Sequence, residues 1–256
     1  MSKQRLDLLV VKRGLAATVY EASRLILAAQ VLVDGHAATK VGSTIRDDSR
    51  IELKDKSPFV SRGGQKLQKA FEHFPINVDG MICLDIGAST GGFTDCLLQN
   101  GAAKVMAIDV GKGLLNWSLR NDPRVTVIEE TNARYLKPDD LPLTPAFICI
   151  DVSFISLTKI LPAAIDVLQN GGHIVTLIKP QFEAARAQVK KGGVIRDPLI
   201  REEIVAKIRH FGETELQLRW LDCCESPLRG PAGNVEFLAY WRSNKGEHKN
   251  KQGSAP

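Results

Sequence analysis

Two hydrophobic periods alternate along this chain. One repeats every three to four residues, the spacing of a helix with one buried stripe. The other is a short apolar run bounded by turn residues, the mark of a strand. Leu6, Leu8, Leu9 and Val10 open a helical face that stops at Gly14, a residue suited to a helix end. Ala22, Leu25, Ile26 and Ala29 repeat that pattern and predict a second helix over 20–29. VLVDG then reads as a strand entering an Asp-Gly turn, and RIEL at 50–53 as another strand. Residues 54–65 (KDKSPFVSRGGQ) combine charges, Pro58 and a glycine pair, and read as a linker or hinge.

From about Ala70 the strands come with helical patterns between them. MICLDI, KVMAID, VTVIEE, AFICID and HIVTLI are the strands. Helices are expected from the glycine-rich turn to Gln99, near 114–120, over 157–168 and over 200–211. ELQLRWLDCC and NVEFLAYW read as a closing strand pair. Such alternation calls for a mostly parallel sheet covered on both faces. The fold class is therefore α/β, with a small α+β domain in front. The expected divisions are 1–58, 59–243 and a polar, disordered tail at 244–256.

Composition removes several classes. Hydrophobic residues make up 44% and charged residues 25%, which excludes fibrous and wholly disordered chains. No apolar run approaches the roughly 18 residues of a membrane span. The first apolar run is broken by Lys12 and Arg13, unlike a secretory signal. The five cysteines form no C-x-x-C and have no zinc-like spacing, so no metal site is expected and a reducing, cytoplasmic setting fits. The formal charge of +5 is unevenly placed. Residues 1–66 hold 12 Lys and Arg against 7 Asp and Glu, and the rest of the chain balances. A basic module joined to a neutral one suggests a polyanion-binding part and a chemistry part.

The sharpest local feature is LDIGASTGGFTDCLLQNGA, residues 84–102: a strand, a glycine-rich turn and the start of a helix. Gly87, Gly91 and Gly92 let the backbone approach a ligand at the first crossover of a wound sheet. Asp109 ends the next strand, where a carboxylate meets ribose hydroxyls. A dinucleotide and a nucleoside-type cofactor both fit this much. However, G-A-S-T-G-G is neither G-x-G-x-x-G nor a phosphate-cradling P-loop. Asp85 would repel a pyrophosphate but suits a cationic amino-acid moiety, which favours S-adenosyl-L-methionine over NAD or ATP. Ala88, Ser89 and Phe93 in the turn, Val110 after Asp109, and Asn132 complete the candidate cofactor contacts.

Methyl transfer to a hydroxyl needs that hydroxyl aligned and deprotonated. AFICID places Asp151 at the carboxyl end of a strand, and HIVTLIKP does the same for Lys179, where ligands bind in open wound sheets. NVEFL puts Glu236 near a late strand, and Lys66 follows the Ser-Arg-Gly-Gly turn. By spacing alone, Glu236 and Lys66 fit solvent-facing positions equally well, and Asp151 fits a helix cap.

Over nearly its whole length the chain resembles the TlyA family, also labelled hemolysin A. The matching stretches are RLDLLVVKRG, SRGGQKL, LDIGASTGGFTDCLLQNGA, NDPRV, TNARYL, IDVSFISL, LIKPQFE, GGVIRD and SPLRGPAGNVEFL. The resemblance implies a small RNA-binding domain of the ribosomal protein S-four type followed by an FtsJ-like, Rossmann-like methyltransferase domain that uses S-adenosyl-L-methionine. It implies a Lys-Asp-Lys-Glu tetrad at Lys66, Asp151, Lys179 and Glu236, and methylation of cytidine 2′-hydroxyls in ribosomal RNA or ribosomal subunits. Lys179 is the candidate to assist deprotonation. The chain departs from the family at Lys112 and Leu114, where an aromatic and a glutamine are usual. It also departs at Ala29, where glycine is common, and at Val41, where proline is common. Arg5, Arg24, Lys40, Arg46 and Arg50 in the small domain, and Arg62 in the linker, are candidate phosphate contacts. Two other classes stand beside the enzyme: a membrane-lytic protein, as the hemolysin label suggests, and a non-catalytic RNA-binding protein. The oligomeric state is not legible.

Overall fold

The structure, a computed structural model, describes residues 2–54, 58–189 and 192–244. The chain divides into two compact units, Met1–Ser57 and Pro58–Pro256. The tail expected to be disordered lies outside the described residues from 245 onward, as do residues 55–57 of the expected linker.

The first unit opens with strand β1 (Lys3–Arg5) and helix α1 (Leu6–Lys12). Helix α2 (Val19–Leu27) is capped by Thr18, whose side chain accepts from the Glu21 amide. Four short strands follow: β2 (Val31–Val33), β3 (His36–Ala38), β4 (Thr44–Arg46) and β5 (Ile51–Leu53). β1 pairs with β4, and β2 lies between β3 and β5, all antiparallel. Leu6, Leu9, Val10, Ala22, Ile26, Val31 and Ile51 form the core. Asp7 is also buried, and it accepts two hydrogen bonds from Arg5, at 3.2 and 2.7 Å. Ala29, at the end of α2, adopts φ +54°, the left-handed region that glycine occupies without strain.

The second unit does not begin as a linker. Phe59 is buried, the Val60 amide donates to Asp95 at 2.7 Å, and Gln99 donates to the Pro58 carbonyl at 2.9 Å. Residues 58–61 are thereby strapped to helix α4 (Gly92–Gln99), and helix α3 (Gly64–His73) starts at once. Gly64 permits this close packing, since a Cβ there would lie 2.4 Å from the Phe59 ring, and the glycine pair does not mark a hinge. A Cβ on Gly92 would lie 2.4 Å from Ser61 Oγ and 2.7 Å from the Gly64 nitrogen.

The parallel strands are β6 (Ile82–Ile86), β7 (Lys104–Ile108), β8 (Val125–Ile128), β9 (Phe147–Ile150) and β10 (His173–Ile178). β11 (Leu218–Glu225) and β12 (Phe237–Ser243) close the sheet as the expected pair. The seven-stranded order is β11-β12-β10-β9-β6-β7-β8, with only β11–β12 and β10–β12 antiparallel. The buried side chains form two layers. Leu67, Leu97, Phe147 and Val175 belong to one. Leu84, Ile148, Leu161, Ile208 and Trp241 belong to the other. Residues alternate between layers along each strand, as the pleat requires.

Helix α5 is only Trp117–Arg120, because its cap is Asn116 and Gly113 sits at φ +70° in the expected first turn. The expected helix over 157–168 is a 3₁₀ turn at Leu157–Lys159 followed by α6 (Leu161–Val167), with Pro162 in its first turn. A short helix α7 (Pro180–Glu183) follows β10, and α8 (Pro198–Thr214) covers the expected 200–211.

β6 is the topological pivot. The chain moves outward from it to β7 and β8, then returns to β9 on its other side. Ligands in open α/β sheets bind at such a reversal, outside the carboxyl ends of the strands.

Candidate active site

At the pivot, the loop after β6 and the loop after β9 run side by side. Gly87 has φ +86°, and a Cβ there would lie 2.5 Å from the Asp151 carbonyl oxygen. Only glycine lets these two strand ends approach so closely. The Gly87 and Ala88 amides both donate to the Ile108 carbonyl, at 2.9 and 3.0 Å, which ties the loop to β7. The Asp109 carboxylate accepts from the Ser89 amide and the Gly111 amide, each at 2.8 Å.

These strand ends bound a cleft of about 390 Å³, inside the range of small-molecule sites. Gly87, Ser89, Asp109, Val110 and Asn132 line it, together with Leu114 and Phe154. An adjoining cavity of about 210 Å³ is lined by Ala88, Gly92 and Phe93, with Asp151, Ser153 and Lys179. Gly91 lines neither cavity. It holds φ +96° at the start of α4.

Asp85 also lines neither cavity. It points beneath the loop and is fully buried. One carboxyl oxygen accepts from Thr94 Oγ1 at 2.7 Å and the other meets the Cys149 thiol at 3.7 Å. Burial pushes this carboxyl up to about 7. It stands as a strut between β6 and α4, set back from the linings of both cavities, where the sequence predicts a cofactor contact.

The four charged residues read from the sequence come together: Asp151 and Lys179 line the second cavity, and Lys66 and Glu236 continue the line of charge beyond Asp151. Lys179 leaves β10 in extended conformation because Pro180 follows it and opens α7. Its ammonium lies 2.5 Å from Asp151 Oδ1. Asp151 Oδ2 is 3.9 Å from Lys66 Nζ, and Lys66 Nζ donates to Glu236 Oε2 at 2.6 Å. Lys179, Asp151, Lys66 and Glu236 thus form one chain of alternating charge. The Glu236 side chain is 1% exposed and that of Lys179 is 9%. Charges so buried are kept only when paired. Glu236 therefore does not face solvent, and Lys66, which follows the Ser-Arg-Gly-Gly turn as expected, lies in the first turn of α3 with its side chain 12% exposed.

Several partners were not legible beforehand. Lys179 Nζ donates to Ser153 Oγ at 2.9 Å, and Gln181 Nε2 donates to Glu236 Oε1 at 3.4 Å. Phe154 is 90% exposed at φ +65°, with its ring centroid 5.0 Å from that of Phe182. The one available signal was position: Ser153 and Phe154 directly follow Asp151, and Gln181 and Phe182 directly follow Lys179-Pro180.

The model of FtsJ-like methyltransferases matches residues 59–243, and that of the S4 domain matches residues 4–51. Hemolysin A of Brachyspira hyodysenteriae is 47% identical over 245 residues, covering 93% of this chain and 99% of that protein. The 16S/23S rRNA (cytidine-2'-O)-methyltransferase TlyA of Mycobacterium tuberculosis is 44% identical over 243 residues, covering 94% of this chain and 90% of that one. The chain belongs to the TlyA branch of the FtsJ-like methyltransferase family. A solved structure of a Streptococcus thermophilus chain that carries a hemolysin name is 44% identical, with a TM-score of 0.75 over 96% of this chain and 90% of that one.

In the S4 unit the candidate phosphate contacts differ in availability. Arg5 is paired with Asp7, Arg46 with Asp48 at 3.3 Å, and Arg50 with Glu52 at 2.7 Å. Arg24 and Lys40 are exposed and take part in no ion pair among the described residues. The same holds for Arg62 in the second unit. Lys112, at the departure from the family pattern, pairs with Glu130 at 2.8 Å. Leu114 supplies an apolar wall to the cleft.

Proposed function

We propose that this protein is an S-adenosyl-L-methionine-dependent methyltransferase acting on ribose 2′-hydroxyls of ribosomal RNA, with cytidine as the target. The observation that carries this reading is the Lys179–Asp151–Lys66–Glu236 line of charge, two of whose members, Asp151 and Lys179, line a glycine-walled cavity. Neither membrane lysis nor RNA binding without chemistry calls for four largely covered charged side chains in one line beside a nucleoside-sized cleft.

The cofactor fits the larger cleft. The backbone at Gly87 leaves room there, Asp109 and Asn132 offer oxygens at one side, and Val110 and Leu114 offer apolar walls. When bound, S-adenosyl-L-methionine supplies an electrophilic methyl group on a sulfonium. The protein's part is to align the acceptor hydroxyl and remove its proton. Lys179 Nζ is the atom that receives that proton. Asp151 orients the Lys179 amine, and Lys66 competes for the same carboxylate from its other oxygen, which weakens the hold of Asp151 on the Lys179 proton. Glu236 fixes Lys66 in that position.

The S4 unit supplies docking to RNA, with Arg24 and Lys40 as its available cations. Such contacts give affinity and salt dependence without base choice. No helix among the described residues is long and apolar enough to cross a membrane, and an enzyme acting on ribosomal RNA works in the cytoplasm. The test is transfer of labelled methyl to ribosomal RNA or intact subunits, compared between the native protein and Lys179→Ala.

A further inference from the structure

Lys179 is mostly covered, yet the hydroxyl it contacts is not. Ser153 is exposed and lines both the cofactor-sized cleft and the adjoining cavity, while the Lys179 side chain keeps 9% of its surface. Among the described contacts, the Ser153 hydroxyl is the hydrogen-bond partner of the Lys179 amine. The charged groups around Lys179 are Asp151 in contact with it and, beyond Asp151, Lys66 and Glu236. The ring of Phe182 lies 6.0 Å from Nζ.

An ammonium has three N–H donors. Ser153 engages one of them by a hydrogen bond, while Asp151 Oδ1 faces the nitrogen as an ion partner at 2.5 Å without accepting a hydrogen bond. The neutral amine keeps two N–H donors and one lone pair, and that lone pair must face the substrate hydroxyl to take its proton. The Ser153 oxygen can accept an N–H from the ammonium and from the neutral amine alike. It therefore holds the nitrogen in both states and leaves the lone pair free for the substrate. The backbone supports this placement. The next residue, Phe154, sits at φ +65°, a conformation that is costly for a bulky side chain and that turns the chain just past Ser153.

We propose that Ser153 is a positioning residue for Lys179, its hydroxyl oxygen accepting an N–H of the lysine both before and after the lysine takes the substrate proton. This rests on the methyl-transfer reading above. In the step concerned, the acceptor O–H bond breaks and its electron pair stays on oxygen. The proton forms a new N–H bond at Lys179 Nζ. Ser153 gains and loses nothing, and the hydrogen bond it accepts from Nζ persists.

The experiment compares the full chain with Ser153→Ala and Ser153→Thr. With RNA and cofactor, kcat of Ser153→Ala falls about tenfold to a hundredfold, the size of one hydrogen bond to a charged group. KM for RNA stays within about twofold, and Ser153→Thr restores most of kcat. A second readout needs neither cofactor nor RNA. In protein labelled with ¹⁵N at lysine side chains, the Lys179 ammonium protons exchange slowly with water in the native chain and in Ser153→Thr, and at least tenfold faster in Ser153→Ala. Undiminished kcat in Ser153→Ala, or identical Lys179 signals in native and Ser153→Ala protein, overturns the assignment. Absence of RNA methylation by the native protein overturns the functional reading instead, and the exchange comparison still decides the Ser153–Lys179 contact.

Discussion

Lys66 and Glu236 stand 170 residues apart in the chain and meet at 2.6 Å. The first lies one turn into α3, and the second is the last residue before β12. Their contact closes the charge chain begun by Lys179 and Asp151, at the edge of the sheet where the cleft opens. It also couples the helix that follows Gly63 and Gly64 to the final hairpin. The geometry of the proposed tetrad therefore depends on both ends of the methyltransferase unit.

Removal of one partner leaves the other stranded. Lys66→Ala leaves Glu236 as a buried, uncompensated anion, at a cost of about 3–5 kcal/mol. The double variant Lys66→Ala with Glu236→Gln loses less stability than Lys66→Ala alone, yet stays inactive. Urea unfolding of the four members of the cycle gives the coupling, and methyl transfer gives the activity. Strictly additive stability losses would show that the two side chains do not interact.

Asp85 makes stability depend on pH in a direction opposite to that of an ordinary ion-paired carboxylate. Burial raises its folded value to about 7, so the folded state holds the proton more tightly than the unfolded chain does. The contribution is complete below about pH 4 and is lost as pH rises through about 7, on the order of 4 kcal/mol across that window. Asp85→Asn still accepts from Thr94 and carries no proton to lose. Denaturation midpoints measured from pH 4 to 8 therefore decline in the native protein more steeply than in Asp85→Asn. Parallel curves would contradict this account of the strut.

Arg5 and Arg24 have different roles in the S4 unit. Arg24 is an exposed cation without an ion pair among the described residues, whereas Arg5 compensates buried Asp7 and holds its carboxyl below the usual range. Arg24→Ala reduces the slope of log affinity for RNA against log salt by about 0.7 to 0.9, one phosphate contact, and leaves thermal stability unchanged. Arg5→Ala lowers thermal stability as well. Filter binding over a salt series, set beside thermal melts, checks both. Equal melting temperatures for the two variants would remove the structural role of Arg5.

Much of the fold was legible because the apolar pattern is strong where the sheet is buried on both faces. MICLDI, AFICID and HIVTLI each become a strand of the parallel core, and the Gly-rich turn after β6 lies at the pivot. The misses have physical causes. Residues 58–65 look like a linker by composition, but Phe59 and the Asp95 carboxylate capture them. The strands at 36–38 and 44–46 are too short and too exposed to show alternation. Pro162 splits one expected helix, and the conformations of Gly113 and Asn116 shorten another. At the site, Asp151 and Lys179 are marked as charged residues ending apolar runs, whereas Lys66 and Glu236 are singled out by the family resemblance. Asp85 carries the same mark, yet its side chain points down between strand and helix. A one-dimensional pattern gives the face of a strand on which a carboxylate lies but not the depth at which it stops. Ser153 and Gln181 are ordinary polar residues whose roles arise only from what they touch.

The central claim is that Lys179 takes the proton of a ribose 2′-hydroxyl. Its most direct measurement is single-turnover methyl transfer to ribosomal RNA with saturating cofactor, read as 2′-O-methylcytidine after digestion. The account predicts formation of that nucleoside by the native protein and a rate at least a hundredfold lower for Lys179→Ala, with cofactor binding retained. Undiminished 2′-O-methylcytidine formation by Lys179→Ala, or methylation only at a base atom, would contradict it.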